Sequence, residues 1–124
     1  MKFLVLIYPD PQKLGAMPAD EFASTMRECL AHADQLQARG TLLDTQMLRP
    51  SSTARTLRKK AGKLTITDGP FAETKEVLGG FNVVEADSLD QAVEIAARFP
   101  WAEVGSVEVR PILPVEEMRA RVGA

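Results

Sequence analysis

The chain is 124 residues long, with 45% hydrophobic and 26% charged residues, which is the size and mix of one folded domain and excludes a disordered segment. A net charge of -2 and a pI near 5.4 argue against a domain that holds nucleic acid by its overall charge. A single cysteine, Cys29, excludes an internal disulfide framework. No apolar run nears the ~18 residues a membrane span needs, so a cytoplasmic protein is expected.

In chain order, the nearly continuous apolar run of residues 2–8 predicts a central strand. It is too short for a secretory leader, and Pro9-Asp10-Pro11 ends it in a loop where a leader has small residues. A long helix is predicted over about 18–39. Proline suits its first turn, Asp20 and Glu21 complement the dipole, and Gly40 stands where a left-handed cap belongs. Phe22, Met26, Cys29, Leu30, Ala33 and Leu36 make its apolar stripe.

Residues 41–49 predict a second strand closed by Pro50. Residues 53–59 and 63–67 predict a hairpin turning near Lys60-Ala61-Gly62. After a loop over 68–80, residues 81–85 alternate as a strand. Ser88 and Gln91 form a capping box for a second helix, with Leu89, Ala92, Val93 and Ala96 as its buried face and Pro100 as its stop. A last strand over 104–112 and a short helix from Val115 complete the chain. The expected fold is α+β: a ferredoxin-like βαβ(hairpin)βαβ domain, spanning 1–124, with two helices on one face of an antiparallel sheet. Both faces of the first strand are apolar and the helices cover one, so a homodimer is the simplest cover for the other.

The loop opening with Asp68-Gly69-Pro70-Phe71 is the most informative stretch. A carboxylate beside a Gly-Pro turn, followed by Glu73, Lys75 and Glu76, brings both charge signs within a few residues. Such carboxylates and lysines can be tuned as general acids or bases where partly buried. Gly69, Gly79 and Gly80 let a ligand approach the main chain. Asp68, Lys75 and Glu76 are therefore the catalytic candidates, and Tyr8, Gly69, Phe71 and Glu73 the ligand-binding ones. Against this, Asp-Gly-Pro is good turn chemistry, Phe71 can plug a core, and Glu-Thr-Lys-Glu can be a solvated turn. Tyr8 can equally be an aromatic at a sheet edge with its hydroxyl in solvent.

His32 sits on the flank of the helical stripe, three residues after Cys29. Cys29 itself lies mid-stripe and behaves as a small hydrophobe rather than a nucleophile. One His and one Cys make no metal ligand set. Basic residues gather from Arg49 to Lys75, including Arg55, Arg58, Lys59, Lys60 and Lys63. Without interleaved aromatics this is no single-strand platform, and charged hairpins also protect sheet edges. No dinucleotide, P-loop, nucleophile-elbow or zinc-protease motif occurs, and no cofactor is implied.

Asp68-Gly69-Pro70-Phe71-Ala72-Glu73-Thr74-Lys75-Glu76 resembles the signature of the DGPF-domain branch of the YCII-related family. Leu48-Arg49-Pro50-Ser51-Ser52-Thr53, Gly79-Gly80-Phe81 and Val107-Glu108-Val109-Arg110-Pro111 resemble it too, so nearly the whole chain is covered. The resemblance implies a dimeric α/β-barrel built on a ferredoxin-like fold, and no defined activity. Enzymes of the wider group are associated with a His on the first helix and an Asp near the end of the second. Here Cys29 and Phe99 take those places, so that chemistry is not carried over. Two readings follow: a small-molecule-binding protein or enzyme using the Asp68–Glu76 loop, or a non-catalytic dimeric regulatory module, with an extracytoplasmic-function sigma factor as a partner of some such domains.

Overall fold

The structure, a computed structural model, describes residues 1–72 and 74–124. Strand β1 (Lys2–Pro9) lies in the middle of a four-stranded antiparallel sheet, paired with β5 (Gly80–Glu85) on one side and β6 (Gly105–Pro111) on the other; β2 (Leu42–Met47) adds outside β5. The order β2-β5-β1-β6 is that of a ferredoxin-like α+β domain, as the element order predicts. Alternation decides the core. Phe3, Val5 and Ile7 turn to one face, joined there by Val84, Asn82 and Leu42, and all are buried. Helices α2 (Ala19–Ala38) and α3 (Leu89–Ala97) close this face with Cys29, Ala33, Leu36, Ala92 and Ala96. Each large side chain so buried contributes about 1.5–3 kcal/mol over leaving it in water.

Helix α2 ends as its sequence dictates. Gly40 takes φ +76°, the Gly40 N–H donates to Gln37 O and the Thr41 N–H to Leu36 O, so the last carbonyls are satisfied in a Schellman turn. The capping box at α3 is offset by one residue. Ser88 Oγ accepts from the Gln91 N–H, but the Gln91 side chain reaches back to the Asp87 N–H instead of that of Ser88. The tail forms α4 (Val115–Val122).

Three expectations change. The stretch after β1 is no loop: Pro11–Ala16 form α1, with Pro11 in its first turn and Asp10 Oδ1 accepting from the Gln12 N–H at 2.9 Å. Phe22 and Leu30, predicted on the buried stripe, are 41% and 47% exposed, because α2 is held off the sheet at that end. Leu89 and Val93 are likewise exposed, lining a groove with Val107 and Val109, and Ala92 and Ala96, with the partly buried Ile95, carry the packing.

Strands β3 (Arg55–Lys60) and β4 (Lys63–Asp68) form a separate two-stranded ribbon, with Leu57 opposite Ile66. Ala61 and Gly62, both at positive φ (52° and 79°), make the two-residue turn whose twist suits a hairpin. No helix among the described residues is long and apolar enough to cross a membrane.

Candidate functional site

Where α2 stands off the sheet, a cavity of about 560 Å³ opens, within the range of small-molecule sites. Phe22, Met26, Leu30 and Ala33 form its helical wall and Phe99 and Trp101 one end. The exposed Phe22 and Leu30 are thus cavity residues. The floor is the sheet, through Ile7, Gly80 and Asn82 with Thr45 and Met47. A bulge at Leu43, where the register between β2 and β5 shifts, sets the face on which Thr45 and Met47 fall.

Asn82 is the polar feature of this floor. It is 4% exposed in an otherwise apolar core, and its Oδ1 accepts from Thr45 Oγ1 at 2.6 Å. A buried amide is costly unless its groups find partners, so its N–H donors are strongly disposed toward any acceptor that enters. Asn82 follows Gly80-Phe81 in alternating strand pattern, and a polar residue at an inward position is the signal that sequence reading passed over.

Asp10 is the second feature. Its carboxylate is buried at the end of β1, its N–H donates to Val104 O at 2.7 Å, and Lys75 Nζ lies 3.9 Å from its Oδ2. The signature loop is thereby tied to the strand whose Ile7 and Pro9 line the cavity. The sequence pattern alone places Asp10 in a Pro-Asp-Pro loop. The Asp-Pro pair, as a helix N-cap followed by N1, was the available clue.

The seven sequence-predicted residues do not gather at one point. Asp68 ends β4, 89% of its side chain is exposed, and its partner is Arg55 Nε at 3.7 Å. Lys75 meets Asp10, not Asp68. Glu76 accepts from Thr74 Oγ1 through its backbone carbonyl. Gly69, at φ +93°, donates its N–H to Ala54 O and accepts from Thr56 Oγ1, so its main chain closes the base of the hairpin. Phe71 is 77% exposed and plugs no core. Glu73 lies outside the described residues. Tyr8 points to the sheet face away from the cavity, where its hydroxyl donates to Glu108 Oε1 at 3.3 Å. Burial raises its pKa, and Glu108 adds to the shift. Gly79 and Gly80 do line the cavity, but what they admit is the chain itself: a Cβ on Gly80 would lie 2.7 Å from Gln46 O.

Cys29 and Phe99 both face the cavity. Burial pushes the Cys29 thiol up, a hydrogen bond from Trp101 works the other way, and the group is a poor nucleophile at neutral pH. His32 sits behind them, its ring 4.8 Å from that of Phe99, in a smaller hollow of about 440 Å³ shared with Glu28 and Glu103. Among the described residues no three His, Cys, Asp or Glu side chains are grouped to hold a metal.

The match to the YCII-related domain spans residues 1–116. The chain belongs to the YCII-related family. An uncharacterised protein of Rhizobium meliloti (strain 1021) is 39% identical over 114 residues, which cover 90% of this chain and 92% of that one. Among solved structures, the fold is similar to that of 5-chloro-2-hydroxyhydroquinone dehydrochlorinase (TftG) from Burkholderia phenoliruptrix AC1100, in complex with 2,5-dihydroxybenzoquinone. The TM-score is 0.55 at 18% identity, covering 94% of this chain and 98% of that one.

Proposed function

We infer that this family member binds a small, ring-sized and largely apolar molecule carrying a hydrogen-bond acceptor, in the cavity between α2 and the sheet. The observation that carries the reading is Asn82: a buried amide, half satisfied by Thr45, on the floor of a mainly apolar cavity whose other polar lining is Asp34, Gln37, Thr45 and Gln46. Apolar walls supply affinity and one placed polar group supplies orientation, the usual division of labour in such sites. That TftG, of similar fold, is seen with a hydroxylated quinone supports a ligand of this class.

The loop that begins at Asp68 borders the mouth in this reading, since Lys75 is tied to Asp10 and Gly79 and Gly80, where the loop joins β5, line the cavity. If the bound molecule is turned over, Lys75 with Asp10 is the rim pair able to move a proton. Asp68 would join them only through a rearrangement of the hairpin base. The active form is a homodimer whose second copy covers the bare sheet face.

A titration with 2,5-dihydroxybenzoquinone, hydroquinones and simple phenols, followed by amide chemical shifts, tests the reading. Shifts confined to α2, β5 and the loop are expected. An Asn82→Leu variant should lose at least about tenfold in affinity, or roughly 1.4 kcal/mol. Shifts scattered over the surface, or undiminished binding by Asn82→Leu, would sink it.

A further inference from the structure

The polar side chains of the cavity gather at one end. Along α2 the lining positions begin with Phe22, Met26 and Leu30 and finish with Asp34 and Gln37, so the helical wall turns polar toward its C-terminus. On the sheet, Gly80 pairs with Met47 and Asn82 with Thr45, so the floor makes the same change from one pair to the next. Strand β2 begins just after the turn that ends α2 and packs against that helix, which brings Thr45 under its later turns, where Asp34 and Gln37 stand.

Hydrogen-bonding capacity at this end is unbalanced. Thr45 uses its hydroxyl proton on Asn82 Oδ1 at 2.6 Å, so toward a ligand its oxygen only accepts. The Gln46 side chain is already engaged, donating to Asp44 Oδ1 at 3.0 Å. Asp34 is acceptor-only as a carboxylate, and it is the one charged side chain on the cavity wall among the described residues. No ion pair among those residues neutralises it. Lys75 is committed to Asp10, beyond Pro9 at the apolar end. The Asn82 amide therefore presents donors, while Asp34 and Thr45 present acceptors that a guest must satisfy.

We propose that Asp34 is a specificity-determining residue: the cavity takes an arene that offers Asp34 a hydroxyl or amino donor beside the acceptor read by Asn82, and Asp34 turns away arene carboxylates of the same shape. The inference rests on the small-molecule reading above and narrows its ligand from any acceptor-bearing ring to a ring with a donor and an acceptor. An acceptor-only ring strips water from the Asp34 carboxylate and returns no partner. An arene carboxylate sets like charge against it. One residue thus disfavours both competitors.

Catechol, its dimethyl ether and salicylate separate these cases, since all three are ortho-disubstituted rings. In calorimetric titrations at neutral pH, catechol should bind at least about tenfold more tightly than either of the others. Asp34→Asn puts N–H donors where the charge was, and should strengthen salicylate about tenfold while changing the dimethyl ether by less than about twofold. Glu94→Gln removes the same charge from an exposed position on α3 and should leave the order of the three unchanged. If none of the probes shifts amide signals in α2 and β5, the cavity reading and the role of Asp34 fall together. Binding that Asn82→Leu weakens, but whose selectivity is unmoved by Asp34→Asn or moved equally by Glu94→Gln, overturns the role of Asp34 and leaves the cavity standing.

Discussion

Strand β1 has two faces of similar chemistry and different fate. Phe3, Val5 and Ile7 are at most 8% exposed, while Leu4, Leu6 and Tyr8, one residue out of phase, stay half-buried. Nothing in the side chains separates the two sets, since both are large and apolar. What separates them is topology: both crossover helices pack on one side, so hydrophobicity on the other finds no partner in the chain. The lesson is that an apolar residue in a central strand marks an interface without saying whether it is internal. The covered face is interrupted by a cavity and a polar Asn82, whereas the bare face is continuous and edged with charge. The first suits a small guest and the second a large, complementary surface.

Truncation tests the contrast most directly. Phe3→Ala removes a fully enclosed ring and should cost about 3–5 kcal/mol in denaturant unfolding. Leu6→Ala, measured at low concentration, should cost less than about 1.5 kcal/mol, because water already reaches the side chain. At concentrations where the chain is dimeric the Leu6→Ala penalty should grow. If the two substitutions cost the same at every concentration, the two faces are not different in the way described.

At the loop end of β1, Asp10→Ala removes both the α1 cap and the Lys75 partner and should cost about 1–2 kcal/mol. Asp10→Asn keeps a capping oxygen and gives up only the charge, so it should recover most of that loss. Its remaining effect should appear in the loop, as faster amide exchange from Thr74 to Gly79, rather than in the midpoint of unfolding. Equal destabilisation by both substitutions would remove the cap from the account and leave the loss to the pairing with Lys75. Cys29 gives a smaller, kinetic check. With its thiol buried and its pKa raised, it should react slowly with a disulfide reagent in the native protein and rapidly in denaturant, and a cavity ligand should slow it further.

Much of this was legible before the fold was known. A nearly continuous apolar run placed β1 and period-two alternation β5, the capping residues Ser88 and Gly40 bounded the helices, and the order of elements led to the ferredoxin-like sheet. The cavity was not legible, for a physical reason. Phe22, Met26 and Leu30 have the spacing of a core stripe whether a helix lies on the sheet or a molecule's width above it, and the stripe itself carries no record of that distance. The loop's own pattern promised a charge cluster. Its lysine instead found a carboxylate sixty-five residues earlier in the chain, at Asp10, and such a pairing leaves no local trace.

The finest probe of the comparison is the lone tyrosine on the bare face. Tyr8 has its pKa raised from the ordinary value of 10.0, first by burial, then by the nearby Glu108 carboxylate and its hydrogen bond, with Arg110 opposing. A folded-state pKa above the unfolded one means that the folded chain holds the phenolic proton more tightly. The corresponding stability is present below pH 10 and is lost as pH rises through the folded value. Ultraviolet absorbance of the phenolate reads this residue alone, because the chain has one tyrosine. Glu108→Gln should lower the midpoint but leave it above the ordinary value, since burial is the larger cause. Dilution separates the two origins of that burial. If a second copy covers this face, the midpoint should rise with protein concentration. A midpoint independent of concentration in a chain that sediments as a dimer would mean that the partner sits elsewhere, and the bare face would then need another cover.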